Sequence, residues 1–229
     1  MTENQAREEI CRVGRSLFER GYVHATAGNI SVRLDEAQGG GFLITPTDAC
    51  LGFLDPAALA RLDADGRQTG GERASKTIAL HRRIYEATAA AGAPARCVIH
   101  THSTHCVALT LVAAGPGTGP GELLPPITPY FVMKVGHVPL IDYFRPGDPA
   151  AAEQVAAAIA RHASAGLTLR AVMLDRLGPN VWHDSPAAAM ATLEELEETA
   201  RLWLLSGRAA TPLDEARIEE LRRTFGAQW

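Results

Sequence analysis

The sequence predicts helices packed on a mixed, mostly antiparallel sheet. Three observations carry that expectation. Apolar residues recur at helical spacing in several long segments. Short runs of alternating or continuous apolar residues, bounded by Gly, Pro and Asp, stand between them. The two kinds are mixed in order instead of strictly alternating, as a dinucleotide-binding sheet would demand. The 229 residues are expected to form one domain, 1–229, large enough to bury most of its surface without staples.

The elements follow in order. Ile10, Val13, Leu17 and Phe18 mark a helix over about 5–20, ended by Gly21. The small-residue loop Ala25-Thr-Ala-Gly-Asn29 leads into an alternating strand, Ile30-Ser-Val-Arg-Leu34. The glycines at 39–41 return the chain to a hairpin partner, Phe42-Leu-Ile44, and Thr45-Pro-Thr-Asp48 breaks it. A short strand at 59–62 precedes the turn Asp63-Ala-Asp-Gly66. Ser75 is placed to cap a helix through Ile78, Leu80, Ile84 and Tyr85, stopped by Gly92-Ala-Pro94. A strand ending in histidines follows, then a helix over about 103–112.

Residues 113–126 are rich in Gly and Pro. Gly115-Pro-Gly-Thr-Gly-Pro-Gly121 lacks a preceding strand, a following helix and a Lys-Ser/Thr ending, so it reads as a surface loop, not a phosphate loop. The segment 130–135 and a strand over 137–141 come next. Asp148 of Arg145-Pro-Gly-Asp148 caps an Ala-rich helix to about residue 162. Strands at 169–174 and 180–183 flank Gly178-Pro179. A long helix spans 185–205, and an amphipathic one begins near Leu213.

Composition narrows the classes. A hydrophobic content of 46% and a charged content of 21% belong to an ordinary globular chain. The formal charge of −4 gives no reason to expect nucleic acid or an anionic membrane as partner. No apolar stretch approaches the roughly 18 residues of a membrane span. The polar start, Met1-Thr-Glu-Asn-Gln-Ala-Arg-Glu-Glu9, lacks a signal peptide's apolar core, so a cytoplasmic location is expected. Cys11, Cys50, Cys97 and Cys106 show no metal-finger or redox spacing and are expected to be buried free thiols.

Chemistry concentrates in Val98-Ile-His-Thr-His-Ser-Thr-His105. In a strand, residues two apart share a face, so His100 and His102 would aim two imidazoles at one point. Imidazole is the natural neutral ligand of zinc, but a catalytic zinc usually takes three protein ligands. His105 falls into the next helix, and His81 reads as a packed helix-face histidine. Gly28-Asn29, Thr45-Pro-Thr47 and Ala74-Ser75-Lys76 offer amide, hydroxyl and ammonium donors for an anion; each alone also reads as turn or cap chemistry.

Taken in order, Ala27-Gly-Asn-Ile-Ser31, Ile44-Thr-Pro-Thr47, Ala74-Ser-Lys-Thr-Ile-Ala-Leu-His81 and His100-Thr-His102 resemble the class II aldolase/adducin family. The resemblance continues through Thr128-Pro-Tyr130, Val138-Pro-Leu140, Arg145-Pro-Gly-Asp148, Gly178-Pro179 and the 193–201 segment. Within the family the chain looks most like the 3-oxo-tetronate 4-phosphate decarboxylases. The resemblance implies a three-layer α/β/α sandwich with a mixed, mostly antiparallel central sheet. It implies a homotetramer with active sites between subunits, and one divalent ion per subunit, usually Zn2+, with Mn2+ or Co2+ as alternatives. The implied reaction takes a phosphorylated four-carbon 3-keto sugar acid to dihydroxyacetone phosphate and CO2 through a metal-stabilised enediolate.

Residue by residue, His100 and His102 match two of three family metal histidines. Asn29, Thr45, Thr47, Ser75 and Lys76 fall at or near the family's substrate-phosphate site. Lys76 and Tyr130 are the candidate proton donors. Two positions depart from the pattern: Thr77 stands where the family has its acid/base carboxylate, and Leu177 where it has the third metal histidine. His137, His183, Asp175 or a partner subunit are the candidate replacements. The departures leave open an aldolase or epimerase on the same scaffold, or a non-catalytic member.

Overall fold

The computed structural model describes residues 1–112 and 121–229. Among them, eight strands join one sheet: β1 (Asn29–Arg33), β2 (Phe42–Ile44), β3 (Ala60–Leu62), β4 (Gln68–Gly70), β5 (Cys97–His100), β6 (Leu140–Ile141), β7 (Ala171–Leu174) and β8 (Gly178–His183). Their order is β4-β3-β2-β1-β5-β8-β7-β6. Every neighbouring pair is antiparallel except β6–β7, which is parallel. The helices are α1 (Glu3–Glu19), α2 (Ile78–Ala90), α3 (Thr104–Thr110), α4 (Pro129–Lys134), α5 (Pro149–Ser164), α6 (Pro186–Leu205) and α7 (Glu215–Phe225).

Strand alternation sends successive side chains to opposite faces, and each face has its own core. On one side Ile30, Val32, Ile99 and Val181 meet Ile10, Val13 and Leu17 of α1, Phe131 of α4, and Leu193, Leu196 and Trp203 of α6. On the other, Ile44, Leu62, Val98, Val172 and Trp182 meet Ile84 and Tyr85 of α2 and Val155 and Ile159 of α5. This is the expected three-layer sandwich. Each fully buried Leu or Ile contributes roughly 1.5–3 kcal/mol, so both layers are held chiefly by such contacts.

Capping places several helix starts. Thr2 and Gln5 form a reciprocal capping box on α1. The Asp148 carboxylate accepts from Ala150 N–H at 3.1 Å, and Ser185 Oγ accepts from Ala188 N–H at 3.3 Å. Three expectations change. Helix α2 begins at Ile78, after a turn in which Ser75 Oγ accepts from Thr77 N–H at 3.4 Å. Strand β6 shortens to two residues, because Pro139 has no N–H for a ladder. Cys97 and Cys106 are buried free thiols, whereas Cys11 and Cys50 are only partly buried. The loop expected at 115–121 falls almost wholly outside the described residues. Among the described residues no helix is long and apolar enough to cross a membrane.

Candidate active site

Strands β1, β5 and β7 contribute Asn29, His100 and Leu174 to a cleft. Asn29 of β1 and Asn180 of β8 stand opposite His100 of β5 in register. Directly paired residues project to the same face, here the face covered by α2 and α5. Two residues back on that face lie Ser31, Val98 and Trp182. Two glycines let the flanking loops close on the histidine segment. A Cβ at Gly28 (φ +87°) would meet the His100 carbonyl oxygen at 2.8 Å, and one at Gly178 would overlap the Thr101 carbonyl oxygen.

His100 ends β5 and is 4% exposed. Its Nδ1 lies 3.0 Å from the Pro179 carbonyl oxygen. That oxygen can only accept, so Nδ1 carries the proton and Nε2 keeps its lone pair. Burial, then the neighbouring His102, pushes the His100 pKa down to about 3, against an opposing effect of the Pro179 bond. His102 lies beyond the strand, half-buried, with its ring centroid 5.0 Å from that of His100 and edge-on to it. Burial and nearby His24 lower its pKa as well. Only the first histidine therefore belongs to the strand, yet both imidazoles line the same cleft of about 580 Å³.

The segment leading into α2 also lines the cleft. Asn29, Thr47, Ser75, Lys76 and Thr77 all line the cleft. Asn29 Nδ2 donates to Thr77 Oγ1 at 3.2 Å, and Ser75 Oγ donates to the same oxygen at 3.2 Å. Underneath, His81 of α2 is fully buried with Nδ1 2.7 Å from Ser31 Oγ, and burial followed by His100 pushes its pKa down to about 3. Among the described residues, several buried polar atoms here have no partner: Asn29 Oδ1, His81 Nε2 and both amide atoms of Asn180. Each such atom costs about 1–3 kcal/mol if left unpaired, so this region calls for water or a polar ligand.

Other expected residues lie elsewhere. Thr45 is 1% exposed, its hydroxyl accepts from Ile30 N–H at 3.2 Å, and it does not line the cleft. It extends the β1–β2 ladder instead. Tyr130 is 61% exposed on α4, in the other helical layer, and is outside the cleft of its own chain. His105 is bound to the buried Glu197 carboxylate at 2.8 Å. His183 pairs with Cys97 at the far end of β5, its Nδ1 2.7 Å from Asp184. His137 lies beside Glu122 and His162, at the end of β6 away from the cleft. Asp175 sits in the β7–β8 turn without lining the cleft, whereas Leu177 does line it. Arg73, two residues before the Ser-Lys pair, also lines it and was not singled out by the sequence; a basic residue that close to Lys76 was the available signal.

The model of the class II aldolase and adducin N-terminal domain matches residues 8–204. The chain belongs to that family. A class II aldolase-family relative from Cupriavidus necator, named 3-oxo-tetronate 4-phosphate decarboxylase, is 52% identical over 100% of this chain and 99% of its own length. The crystal structure of YgbL from Escherichia coli superposes with a TM-score of 0.81 at 37% identity, covering 96% of this chain and 99% of that one. An L-fuculose 1-phosphate aldolase superposes at 0.77 with 22% identity, over 97% and 96%, which speaks for the fold.

Class II aldolases use a divalent metal. The cleft meets that requirement in part. His100 and His102 are two neutral imidazoles with His100 Nε2 free. Among the described residues, no third His, Cys, Asp or Glu donor converges with them. Such a donor set would hold an ion only if water or substrate oxygens supplied its other ligands.

Proposed function

We propose that this chain decarboxylates a four-carbon 3-keto sugar acid 4-phosphate, giving dihydroxyacetone phosphate and CO2. The observation that carries the reading is one cleft lined both by two neutral imidazoles, His100 and His102, and by Ser75, Lys76 and Arg73. The substrate has a keto oxygen, a hydroxyl and two anionic ends. Its phosphate suits the segment before α2, which brings the Ser75 hydroxyl, the Lys76 ammonium and the Arg73 guanidinium to the cleft. Arg145 also lines the cleft but is drawn toward Asp148 at 3.5 Å.

The name borne by the Cupriavidus necator relative supports the same reading. In the proposed reaction the C1–C2 bond breaks, CO2 leaves, and its electron pair moves through C2 to the C3 oxygen. A proton then reaches C2. His100 and His102 would hold a divalent ion, zinc in this proposal, which would supply an electron sink for the developing enediolate. Asn29 Oδ1, buried and without a partner among the described residues, is the acceptor for a substrate hydroxyl in this proposal.

Thr77 bears on the type of reaction. Its hydroxyl is held by Asn29 and Ser75 and is no base at neutral pH. Aldol cleavage needs a base to remove a hydroxyl proton; decarboxylation does not, since the departing carboxylate already holds the electron pair. Lys76 is the proton donor within the chain's own cleft. Tyr130, exposed on α4, serves a neighbouring cleft in the proposed cytoplasmic homotetramer of single-domain subunits. A ligand-binding member without catalysis is the second reading, favoured by Leu177 in place of a third metal ligand. Assay of CO2 release and of dihydroxyacetone phosphate from 3-oxo-tetronate 4-phosphate separates the two.

A further inference from the structure

We propose a second zinc-type metal site, distinct from the cleft, formed by Glu122, His137 and His162. One donor atom from each lies within 4.8 Å of the others, the one such convergence among the described residues. Glu122 Oε1 and His137 Nδ1 are 3.2 Å apart. Ligands of a tetrahedral zinc, each about 2.0–2.1 Å from the metal, stand roughly 3.3 Å from one another. The pair is already at that separation.

The surroundings orient the donors. His162 Nδ1 donates to the Ala158 carbonyl oxygen at 2.8 Å. That bond fixes the tautomer and leaves the Nε2 lone pair for an ion, the arrangement that outer partners of metal histidines commonly provide. Glu122 Oε2 accepts from Val138 N–H at 2.9 Å, which leaves Oε1 as the ligand. The His137 ring is packed flat against the Trp229 indole, 4.5 Å between centroids and 16° between planes. Glu122 and His137 are 18% and 23% exposed, enough for an ion to enter and for water to fill a fourth position.

The site is not part of the cleft. Strand β6 runs parallel to β7, with Ile141 beside Leu174, and Leu174 and Asp142 line the cleft. His137 lies at the other end of that strand, on the order of 15 Å away along extended chain. Its three ligands come from the segment before α4, the segment before β6 and the last turn of α5. An ion there clamps those segments and the Trp229 segment together, and ion binding to the folded state alone raises stability by linkage.

The test is zinc titration of the metal-stripped full chain, followed by chelator competition and by tryptophan fluorescence, in parent and variants. The His100→Ala/His102→Ala chain is expected to keep one zinc and the accompanying change in fluorescence, which Trp229→Phe removes. Adding Glu122→Gln, which retains the Val138 contact, or His162→Gln is expected to weaken that zinc by more than about 100-fold, beyond the roughly 10–100-fold that loss of an outer partner alone brings. Melting without metal confirms that each variant folds. The site is refuted if the cleft double variant binds no zinc, or if Glu122→Gln and His162→Gln both bind it as tightly as their parent.

Discussion

His100 is the residue on which the cleft depends. Its Nδ1 proton is committed to Pro179, and burial keeps the ring neutral. Replacing it by Ala removes half of the imidazole pair, and kcat/KM is predicted to fall by about 10²–10³-fold, the usual loss for one preorganised electrostatic group. Leu177 allows the opposite test. It lines the same cleft as both histidines, so Leu177→His adds a third donor; zinc affinity at the cleft is predicted to rise at least about 10-fold by chelator competition. Unchanged affinity would mean that the turn cannot deliver a side chain to the ion. At this scale the sequence spoke unevenly. The two-residue spacing brought His100 and His102 to one cleft even though His102 lies past the strand. Thr45 was less legible, because a hydroxyl next to a strand can serve a ligand, a backbone amide or both, and here it accepts from the Ile30 amide. His137, Glu122 and His162 are far apart in sequence, and no local spacing announces their meeting.

At the scale of elements, loops are pressed against β5 by missing side chains. Gly178 takes φ +142° against the Thr101 carbonyl. Gly178→Ala is predicted to destabilise the fold by more than about 3 kcal/mol in urea unfolding, since a backbone oxygen blocks the new Cβ and the conformation is strained for any L residue. Loss of the α6 cap by Ser185→Ala is a milder matter, about 1 kcal/mol. Helix starts and strand alternation were readable because caps and periodicity are local. The two-residue β6 was not, because Val138-Pro-Leu140 has strand composition while Pro139 lacks the N–H that a longer ladder needs.

The whole molecule joins two apolar layers across one sheet, with a polar row at one end of its central strands. Buried His81 gives that arrangement a pH signature. Its folded pKa of about 3 lies below its unfolded value near 6.5. Below about pH 6.5 the unfolded chain therefore binds more protons, and stability falls with acid until about pH 3. The melting temperature is predicted to drop from pH 7 to pH 4.5, with a shallower drop in His81→Gln; equal slopes would show that His81 is not the group responsible. The antiparallel sandwich was legible in the mixed order of elements, and its layers in the resemblance to the family. The proposed reaction requires the cleft to decarboxylate its substrate despite Thr77 and Leu177. Its most direct test is incubation of the zinc-loaded chain with 3-oxo-tetronate 4-phosphate, following CO2 and dihydroxyacetone phosphate together. The predicted result is equimolar formation of both, slowed about 10²–10³-fold in His100→Ala. A folded, zinc-loaded chain that releases neither product would contradict it.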